Sequence, residues 1–597
     1  MTSPSSSSSS SCVLPLNKIV VISLDFGTSR SGYAYSFPSE KPDIYAHDSW
    51  PGGGGGGSNT KTLTVVSLYE DGKLSKFGYD AREDYDNAIF SNYKMVLFSS
   101  ASREKTMVKA DNCDQTASVQ SLITETLKYL KQISLDKVRL GYTNKIEPSD
   151  VLWVITVPAI WDDAAKQIMR QCALDAGLCT KDDDKGSILF AYEPESGALD
   201  CIFEKTNSYS IREGETLLVF DLGGGTADFT GYKQLAGDKI SSIVTRFGGD
   251  YGSNECNENF KKFLLQLLGD EFPKDMIEGN DFMQVMDKFE SVKTSMNASS
   301  YINDSNPRSI LFNPRTFGMT FDWLLERIEK YNTANASKIE YRRSGSLVIP
   351  METFMTFLQP LFKNIVDCVK KKMLECPAIS NPNFIFMIGG FSENYFLQEL
   401  VKKEFASTGA KIMMQTRPSL SVVKGACRFG LRPSVVTSRH VPRSYAVEIV
   451  EEIAPENEHL HADRKVFFSN GKFYVKNVCS SFVRAGQSVG IDEVVVQAYQ
   501  PLSATATQVA IAIFTSQLPD IKYTTDPGIS FAAEIIVPLP PGDTIDDKSV
   551  HVLMKFGNTE VLVSAVQIKS RAVIEAKIDF AMTQEEAERR NQERLNK

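Results

Sequence analysis

One short device occurs twice in this chain, roughly 200 residues apart, and it limits the possible folds more than any other feature. In the first copy the apolar run 20–24 leads directly into the sequence DFGTS at residues 25–29. In the second copy the apolar run 217–220 leads into DLGGGTADF at residues 221–229. Each copy is a predicted strand, an aspartate at its end, and a glycine turn that carries a hydroxyl residue. The repetition predicts two related lobes whose strands end at a common cleft.

The residue types in the two turns are suited to phosphate. Because glycine has no Cβ, the backbone N–H groups of both turns can approach phosphate oxygens closely, and the hydroxyl residues add further donors. Asp25 and Asp221 end the strands and can hold a hydrated Mg²⁺, which prefers oxygen ligands and keeps several of its waters. Two such turns that face each other would clamp a triphosphate between two lobes.

Two further strand ends carry groups of a related kind. Residues 384–388 lead into Gly389 and Gly390, which would let a purine and its ribose lie flat against the backbone. A glycine pair is equally typical of a helix entry turn. Glu193, in the sequence EPESGA at residues 193–198, supplies a carboxylate at another strand end. A lone glutamate is usually a solvated or capping group, so its interest depends on the other motifs.

The composition excludes several classes of protein. The formal charge is -9, with 65 basic and 74 acidic residues mixed along 597 residues, so nucleic acid and anionic lipid are poor candidates for the main partner. The ten cysteines form no C-x-x-C pair and only five histidines occur, which argues against a zinc site or a disulfide framework. The sequence lacks a secretory signal and an apolar run of about 18 residues. We therefore expect no membrane span and a cytoplasmic or nuclear protein.

The pattern of the chain changes near residue 445. From 18 to 432 short β-rich runs alternate with helical stretches, which is typical of α/β layers. After 445 short alternating runs with turn signals predict a β-sandwich, and the Asn-Gly pair at 470–471 is a strong hairpin signal. The predicted segments are a disordered serine-rich tail at 1–16, a nucleotide-binding domain at 17–440, a β-sandwich at 441–580 and a charged C-terminal helix at 581–597.

Two local interpretations complete the pattern. The glycine run 52–57 is predicted to be a flexible loop without a phosphate role, because no helix beginning with Lys-Ser/Thr follows it. Residues 351–372 have apolar side chains at helical spacing and predict one helix, with a kink at Pro360.

Taken in order, these motifs and several others resemble the 70-kDa heat-shock (DnaK-type) chaperone family. The similarity spans roughly residues 18–580, and in detail it is greatest to the divergent branch called heat-shock 70-kDa protein 12. It implies an α/β two-lobed, actin-like (ribonuclease H-like) ATPase domain followed by a substrate-binding β-sandwich. The motifs that carry it are DFGTS at 25–29, FGYDA at 77–81, VITVPA at 154–159, EP at 193–194, DLGGGTAD at 221–228, GGDYG at 248–252, FESVKT at 289–294, GG at 389–390, KGA at 424–426, TDPG at 525–528, FGN at 556–558 and VLVSA at 561–565.

The resemblance implies a role for each matching residue and implies ATP or ADP with Mg²⁺ as cofactors. Glu193 and Asp228 would position or polarise the attacking water, and Lys94 would be the phosphate-facing lysine. Asp25 and Asp221 would serve Mg²⁺ through water. The other residues of the implied site are Gly27, Thr28, Ser29, Gly223, Gly224, Gly225, Thr226, Gly248 and Gly249 near the phosphates, and Glu290, Lys293, Gly389 and Gly390 around the ribose and adenine.

The chain also departs from the family pattern. Thr294 and Glu393 stand where family members usually have arginines that flank the adenine, which implies an altered nucleotide affinity or base preference. Lys166 replaces the arginine that couples the cleft to the β-domain, and residues 433–442 lack an acidic, leucine-rich linker. About 17 residues follow the sandwich, which is too few for the family's full helical lid. These departures predict weak coupling between the domains.

Three functions are compatible with these residues. The first is a slow Mg²⁺-dependent ATPase of the heat-shock-70 type, with a chaperone-like or regulatory role and unknown protein or peptide clients on its β-domain. The second is a nucleotide-sensing interaction scaffold without significant turnover. The third, a sugar or acid kinase, would need a second substrate pocket with an aspartate base and would leave the sandwich unexplained. The intact loop 221–228 and Glu193 favour the first.

Overall fold

The computed structural model of this chain contains two compact units. Unit 1 comprises Met1–Trp161, Met169–Gln234 and Phe247–Pro433, and unit 2 comprises Asp162–Ile168, Leu235–Arg246 and Ser434–Lys597. The predicted tail at 1–16, most of the glycine run and the start of the predicted C-terminal helix lie outside the described residues. The described residues are 17–52, 60–98, 106–142, 145–181, 184–204, 210–270, 272–273, 276–277, 279–296, 305–454, 456, 459, 466–469, 471–491, 493–541, 544–557, 559–576 and 584–595.

Unit 1 contains two mixed sheets with the same local plan. In each sheet the aspartate-ended strand pairs in parallel with one neighbour and antiparallel with the strand that follows its glycine turn. The mixed α/β character that the sequence predicts is therefore confirmed. The first sheet has the order Ile188–Tyr192, Val151–Val157, Val20–Phe26, Arg30–Ser36 and Tyr45–Ala46, with Thr62–Leu63 beside Arg30–Ser36. The second has the order Lys411–Met414, Phe384–Ile388, Thr216–Leu222 and Ala227–Leu235, with Phe247–Gly249 beside Ala227–Leu235.

The aspartate-ended strands are deeply buried in these sheets. All seven residues of Val20–Phe26 are buried, as are six of the seven in Thr216–Leu222. Strands that are covered on both faces need continuous apolar runs, and both sequences have them. The one acidic residue in each run therefore stands where the strand ends and the covering side chains give way to a cavity.

Helices and smaller sheets complete unit 1. None of the helices in the described part of the chain is long and apolar enough to cross a membrane. The helices are Tyr79–Arg82, Val119–Leu140, Asp163–Asp175 (whose first residues belong to unit 2), Asp184–Ser187, Glu193–Phe203, Asn254–Leu268, Asn280–Thr294, Phe321–Asn335, Met351–Met355, Gln359–Glu375, Tyr395–Glu404 and Pro418–Leu431. The smaller sheets consist of Leu74–Phe77, Val66–Leu68 and Ala88–Phe90; of Met107–Lys109 and Thr116–Ser118; and of Arg308–Leu311, Ser346–Ile349 and Glu340–Arg342.

The helix that begins at Glu193 is fixed by a close crossing with Pro418–Leu431. A Cβ on Gly425 would stand 1.6 Å from the carbonyl oxygen of Ser196, and a Cβ on Gly197 would stand 1.8 Å from the Ile388 side chain. Only glycine permits this approach of the two backbones. Because the crossing lies one turn from the start of the helix, it sets the position of the Glu193 carboxylate.

The predicted single helix over residues 351–372 is wrong in one respect. The structure has two helices, Met351–Met355 and Gln359–Glu375, instead of one kinked helix. Pro360 lies in the first turn of the second helix. Proline is favoured there, because the N–H that it lacks has no partner within the helix, so it starts a helix instead of bending one.

Unit 2 is built around two antiparallel sheets that share one core. Side chains from both sheets, such as Tyr445, Ile513 and Val552, are buried together. The five-stranded sheet has the order Val466–Ser469, Lys472–Val483, Ser444–Ile453, Gln508–Ser516 and Ile529–Pro538. The four-stranded sheet has the order Val494–Tyr499, Val550–Lys555, Leu562–Gln567 and Val573–Ala576. Unit 2 also contains the helix Gln584–Leu595.

The segment after residue 433 forms a strand despite its lack of leucines. Val436–His440 pairs in parallel with Lys239–Ser242 and antiparallel with Ser488–Gly490, all within unit 2. The sequence had predicted a poor linker here because it lacks an acidic-leucine run. Backbone pairing depends little on side-chain type, and Val435 and Val436 still supply buried apolar contacts.

Lys166 is also enclosed within unit 2. Its ammonium lies 2.6 Å from Asp163 and donates to the carbonyl oxygen of Thr559 at 2.5 Å. The hydroxyl of Tyr445 donates to the same aspartate at 2.5 Å. Burial alone would raise the pKa of the Asp163 carboxyl, but the Lys166 ammonium and these hydrogen bonds hold that pKa below its usual value.

Candidate functional site

A cavity of about 660 Å³ lies in unit 1 where the two aspartate-ended strands finish. Glycines, carboxylates, lysines and hydroxyl residues make up most of its lining, so charged and hydrogen-bonding groups lie along the wall. The residues that line it are Asp25, Gly27, Thr28, Ser29, Arg30, Thr60, Lys61, Lys94, Glu193, Asp221, Gly223, Gly224, Gly225, Thr226, Ser253, Glu290, Lys293, Thr294, Gly389, Gly390, Phe391, Glu393, Asn394, Gln398, Met414, Gln415, Thr416, Arg417, Pro418, Ser419 and Val422.

The two glycine turns contact each other at this cavity. A Cβ on Gly224 would stand 2.0 Å from the Ser29 hydroxyl, and a Cβ on Gly225 would stand 2.5 Å from the Thr28 hydroxyl. The Ser29 hydroxyl donates to the Asn254 amide oxygen at 3.0 Å, and the Asn254 N–H donates to the Gly224 carbonyl at 2.8 Å. The turns therefore need glycine for their mutual approach, and Asn254 links the first turn to the second.

Asp25 is held on both of its carboxylate oxygens. The Lys61 ammonium lies 2.5 Å from Oδ2, and the Thr156 hydroxyl donates to Oδ1 at 3.0 Å. The side chains of Asp25 and Lys61 are only 4% and 12% exposed. In such a place an ion pair is screened little by solvent, so its two charges interact strongly.

Glu193 and Lys94 form a second buried ion pair. Lys94 Nζ donates to Glu193 Oε1 at 2.8 Å, and its side chain is 3% exposed. The same ammonium lies 5.4 Å from the ring centre of Phe26 and 5.2 Å from that of Trp161. Burial raises the pKa of the Glu193 carboxyl, and the Lys94 ammonium opposes this effect. The aromatic rings and the ion pair fix Lys94 at the cavity wall.

Asp221 and Asp228 are direct cross-strand neighbours on either side of the second glycine turn. Burial raises the pKa of Asp221 well above its usual value, and the carboxylates of Glu193, Asp228 and Asp25 raise it further. Burial and the nearby Glu193 raise the pKa of Asp228 to about 7, although the Ile160 N–H donates to its Oδ1 at 3.0 Å. If all four carboxyl groups were ionised, their negative charge would exceed what Lys61 and Lys94 balance, so an added cation would favour the ionised forms of Asp221 and Asp228.

The far end of the cavity is built from another helix and another strand end. Lys293 Nζ lies 2.7 Å from Glu290 Oε2 and donates to the Ser253 carbonyl at 3.0 Å. Gly389 has φ of 81°, and a Cβ there would stand 2.7 Å from the Asp221 carboxylate. Glycine is therefore needed at residue 389 both for its backbone conformation and for the space that Asp221 occupies.

Glu393 places a further carboxylate at this end. Burial raises its pKa, while a hydrogen bond with the Ser419 side chain and the nearby Arg30 guanidinium lower it. The amide oxygen of Asn394 accepts a hydrogen bond from the Leu397 N–H at 3.2 Å, which turns the amide nitrogen away from that N–H. Instead of an arginine pair, this end of the cavity thus carries Thr294 and Glu393 with Arg30 nearby.

Most of the residues predicted from the sequence come together at the cavity, and three do not line it. Asp228 is buried behind the second turn, and Gly248 and Gly249 pair with Asp228 and Ala227 in the sheet. The predicted residues on the wall are Asp25, Gly27, Thr28, Ser29, Lys94, Glu193, Asp221, Gly223, Gly224, Gly225, Thr226, Glu290, Lys293, Gly389 and Gly390. The wall residues that the sequence reasoning missed include Arg30, Thr60, Lys61, Arg417 and Ser419.

The acidic residues do not form a ready-made metal cage. Among the described residues, no three His, Cys, Asp or Glu side chains are grouped closely enough to ligate a metal ion together. Hard carboxylate oxygens at Asp25 and Asp221 still fit a divalent cation that keeps its waters. The donor set is therefore compatible with hydrated Mg²⁺ and gives no basis for a dehydrated transition metal.

Comparison with known proteins shows similarity along nearly the whole chain, although no protein-family model matches it. It is 27% identical to human heat shock 70 kDa protein 12A over 94% of this chain and 91% of that protein. It is 26% identical to human heat shock 70 kDa protein 12B over the same shares. A chaperone protein DnaK from Ureaplasma parvum is 22% identical over 80% of this chain and 70% of that protein. The chain is thus similar along nearly its whole length to heat shock 70 kDa proteins 12A and 12B, and these similarities fit a divergent 70-kDa heat-shock protein.

Proposed function

We propose that the chain binds ATP or ADP with Mg²⁺ in the unit 1 cavity and hydrolyses ATP slowly. In this proposal unit 1 is a two-lobed, actin-like ATPase domain. The observation that carries it is the contact between the two glycine turns, which brings Ser29 to the place that a Cβ on Gly224 would occupy. Packing alone does not require two such turns to meet beside four carboxylates and two lysines. A polyphosphate would use the turns and the lysines, and the hydrated Mg²⁺ and attacking water that accompany it would use the carboxylates.

The chain's own groups divide into those that bind and those that act on water. The N–H groups and hydroxyls of the two turns would donate to phosphate oxygens. Asp25 and Asp221 would hold Mg²⁺ through its waters, and Mg²⁺ when bound would neutralise phosphate charge. Glu193 is kept in place by Lys94, and its Oε2 is available to accept a hydrogen bond from a water aimed at the last phosphate. Asp228 would orient the same water from behind the turn.

Unit 2 would serve as the substrate-binding-like part of the protein. We propose that residues 17–440 act as the nucleotide domain and residues 441–580 as a domain for unknown protein or peptide clients. We further propose a chaperone-like or regulatory role in the cytoplasm or the nucleus, and the similarity to heat-shock proteins together with the sandwich supports that role. The alternative is a scaffold that senses nucleotide without turnover. A measurement of ATP hydrolysis distinguishes it from the ATPase.

The first prediction is that Mg²⁺ and ATP raise the melting temperature of the protein. A ligand that binds only the folded form stabilises it by about 2.7 kcal/mol at a hundredfold excess over Kd. Differential scanning calorimetry measures the shift, with sodium tripolyphosphate as the matched control. An equal shift with tripolyphosphate would show a simple anion site, and no shift at millimolar ATP would remove the proposal.

A further inference from the structure

Lys61 is a charged residue of the cleft to which the family resemblance assigns no role. It follows the glycine run 52–57 and directly precedes the strand Thr62–Leu63. No phosphate-binding helix follows that run, so the sequence pattern assigns no function to the residues beside it. The structure nevertheless places Thr60 and Lys61 on the cavity wall, and the strand that follows them pairs with Arg30 and Ser31, next to the first glycine turn.

Among the residues that the structure describes, the ammonium of Lys61 has one close carboxylate partner, and that partner is part of the proposed site. Its distance to Asp25 Oδ2 is 2.5 Å, and the side chain is 12% exposed, so it is enclosed yet open to the cavity. The other oxygen of Asp25 already accepts from Thr156. Each oxygen of Asp25 therefore already has one donor, and the Lys61 ammonium occupies part of the space around Oδ2 that the waters of a metal ion would use.

On the basis of the proposed function, we infer that Lys61 is a second phosphate-facing cation, which leaves Asp25 and turns to the polyphosphate when nucleotide binds. Lysine suits this task, because its ammonium is a point charge on a long flexible stem that can move between two oxygen partners. The move would release Asp25 Oδ2 for the hydrated metal. Lys94 cannot replace it, since aromatic rings and Glu193 hold that ammonium in one place.

The inference predicts that Lys61→Met weakens ATP binding by about tenfold or more, as expected for the loss of a charge-assisted contact. The loss should grow with the number of phosphates, so that ATP is affected more than ADP and ADP more than AMP. Competition with a fluorescent ATP analogue at fixed Mg²⁺ measures all three. Lys73→Met removes an exposed lysine outside the cavity and should change none of them.

The double variant Asp25→Asn with Lys61→Met separates a phosphate contact from mere neutralisation of Asp25. It leaves no unpaired buried charge, so it also guards against misfolding of the single variant. If Lys61 contacts phosphate, the double variant remains weaker for ATP than Asp25→Asn alone. If the double variant binds ATP as Asp25→Asn does, or if Lys61→Met binds ATP within twofold of the wild type, the inference is overturned. A wild type that binds no ATP would instead overturn the proposed function on which it rests.

Discussion

Replacing Glu193 by glutamine is expected to lower the rate constant of ATP hydrolysis about 100-fold, the lower end of the range for a positioned acid–base group. Glutamine keeps the size of the side chain and can still accept from Lys94, but its amide cannot take a proton from water. The affinity for Mg²⁺ and ATP should change little, because a group that acts on water contributes mainly in the transition state. Single-turnover hydrolysis and equilibrium binding, measured on the same preparation, separate the two effects.

Glu258→Gln is the matched control, because Glu258 is exposed on the helix Asn254–Leu268 and does not line the cavity. It should leave both quantities unchanged. An equal loss of affinity and rate in Glu193→Gln would show that Glu193 binds nucleotide instead of positioning water. A wild type that binds ATP without measurable turnover would favour the nucleotide-sensing scaffold over the ATPase.

The second large effect concerns stability: Lys166→Met should lower the free energy of unfolding of unit 2 by about 3–5 kcal/mol at neutral pH, as for other broken buried pairs. The change leaves the buried Asp163 carboxylate with the Tyr445 hydroxyl but without its ammonium partner. The folded-state pKa of Asp163 lies below its unfolded value. Its stabilising effect is therefore present above the unfolded pKa and is lost as pH falls through the folded pKa, so the cost of the mutation should shrink in acid.

Urea unfolding gives the free energy, and hydrogen exchange in the strand Ser444–Ile453 assigns the transition to unit 2. The control Lys472→Met breaks an exposed pair with Glu452 and should cost at most about 1 kcal/mol. Adding Asp163→Asn to Lys166→Met should recover part of the loss, because no buried charge then lacks a partner. If the double variant is less stable than Lys166→Met alone, the ion pair is not the source of the effect.

The sequence predicts the cores of both units well because their signals are local. A continuous apolar run that ends in an aspartate and a glycine turn can be recognised from a dozen residues, as at Val20–Phe26 and Thr216–Leu222. The alternation after residue 445 likewise depends on neighbours two residues apart. Pro360 shows the limit of such rules. Apolar side chains keep their helical spacing across the short non-helical stretch between Met351–Met355 and Gln359–Glu375, so the spacing does not reveal that a second helix begins there with Pro360 in its first turn.

The residues of the candidate site also differ in whether a local sequence motif predicts them. Residues within the motifs, such as Gly224 and Glu193, could be placed from the sequence because each is tied to a strand end. Lys61 and Arg417 could not, since each reaches the cavity from a segment without a motif. No signal in the sequence marks Lys61, because what makes it a site residue is a 2.5 Å approach to Asp25 from 36 positions away.

Gly248 and Gly249 illustrate the opposite case. The resemblance implies that they lie near the phosphates, whereas their backbone pairs with Asp228 and Ala227 and does not reach the described cavity wall. A motif fixes the local backbone, but whether it reaches the cavity depends on the neighbouring strand. The contact of these glycines with nucleotide therefore stays a prediction.

Isothermal titration of Mg²⁺ and ATP into the purified protein is the decisive test of whether a nucleotide binds between the two glycine turns. We expect saturable binding of one ATP per chain, and loss of that binding in Gly224→Val, whose side chain would occupy the space of the Ser29 hydroxyl. Gly141→Ala, where a Cβ meets nothing closer than 3.8 Å, is the matched control and should bind as the wild type does. Absence of binding at millimolar ATP, or undiminished binding by a folded Gly224→Val protein, would contradict the placement of a nucleotide between the two glycine turns.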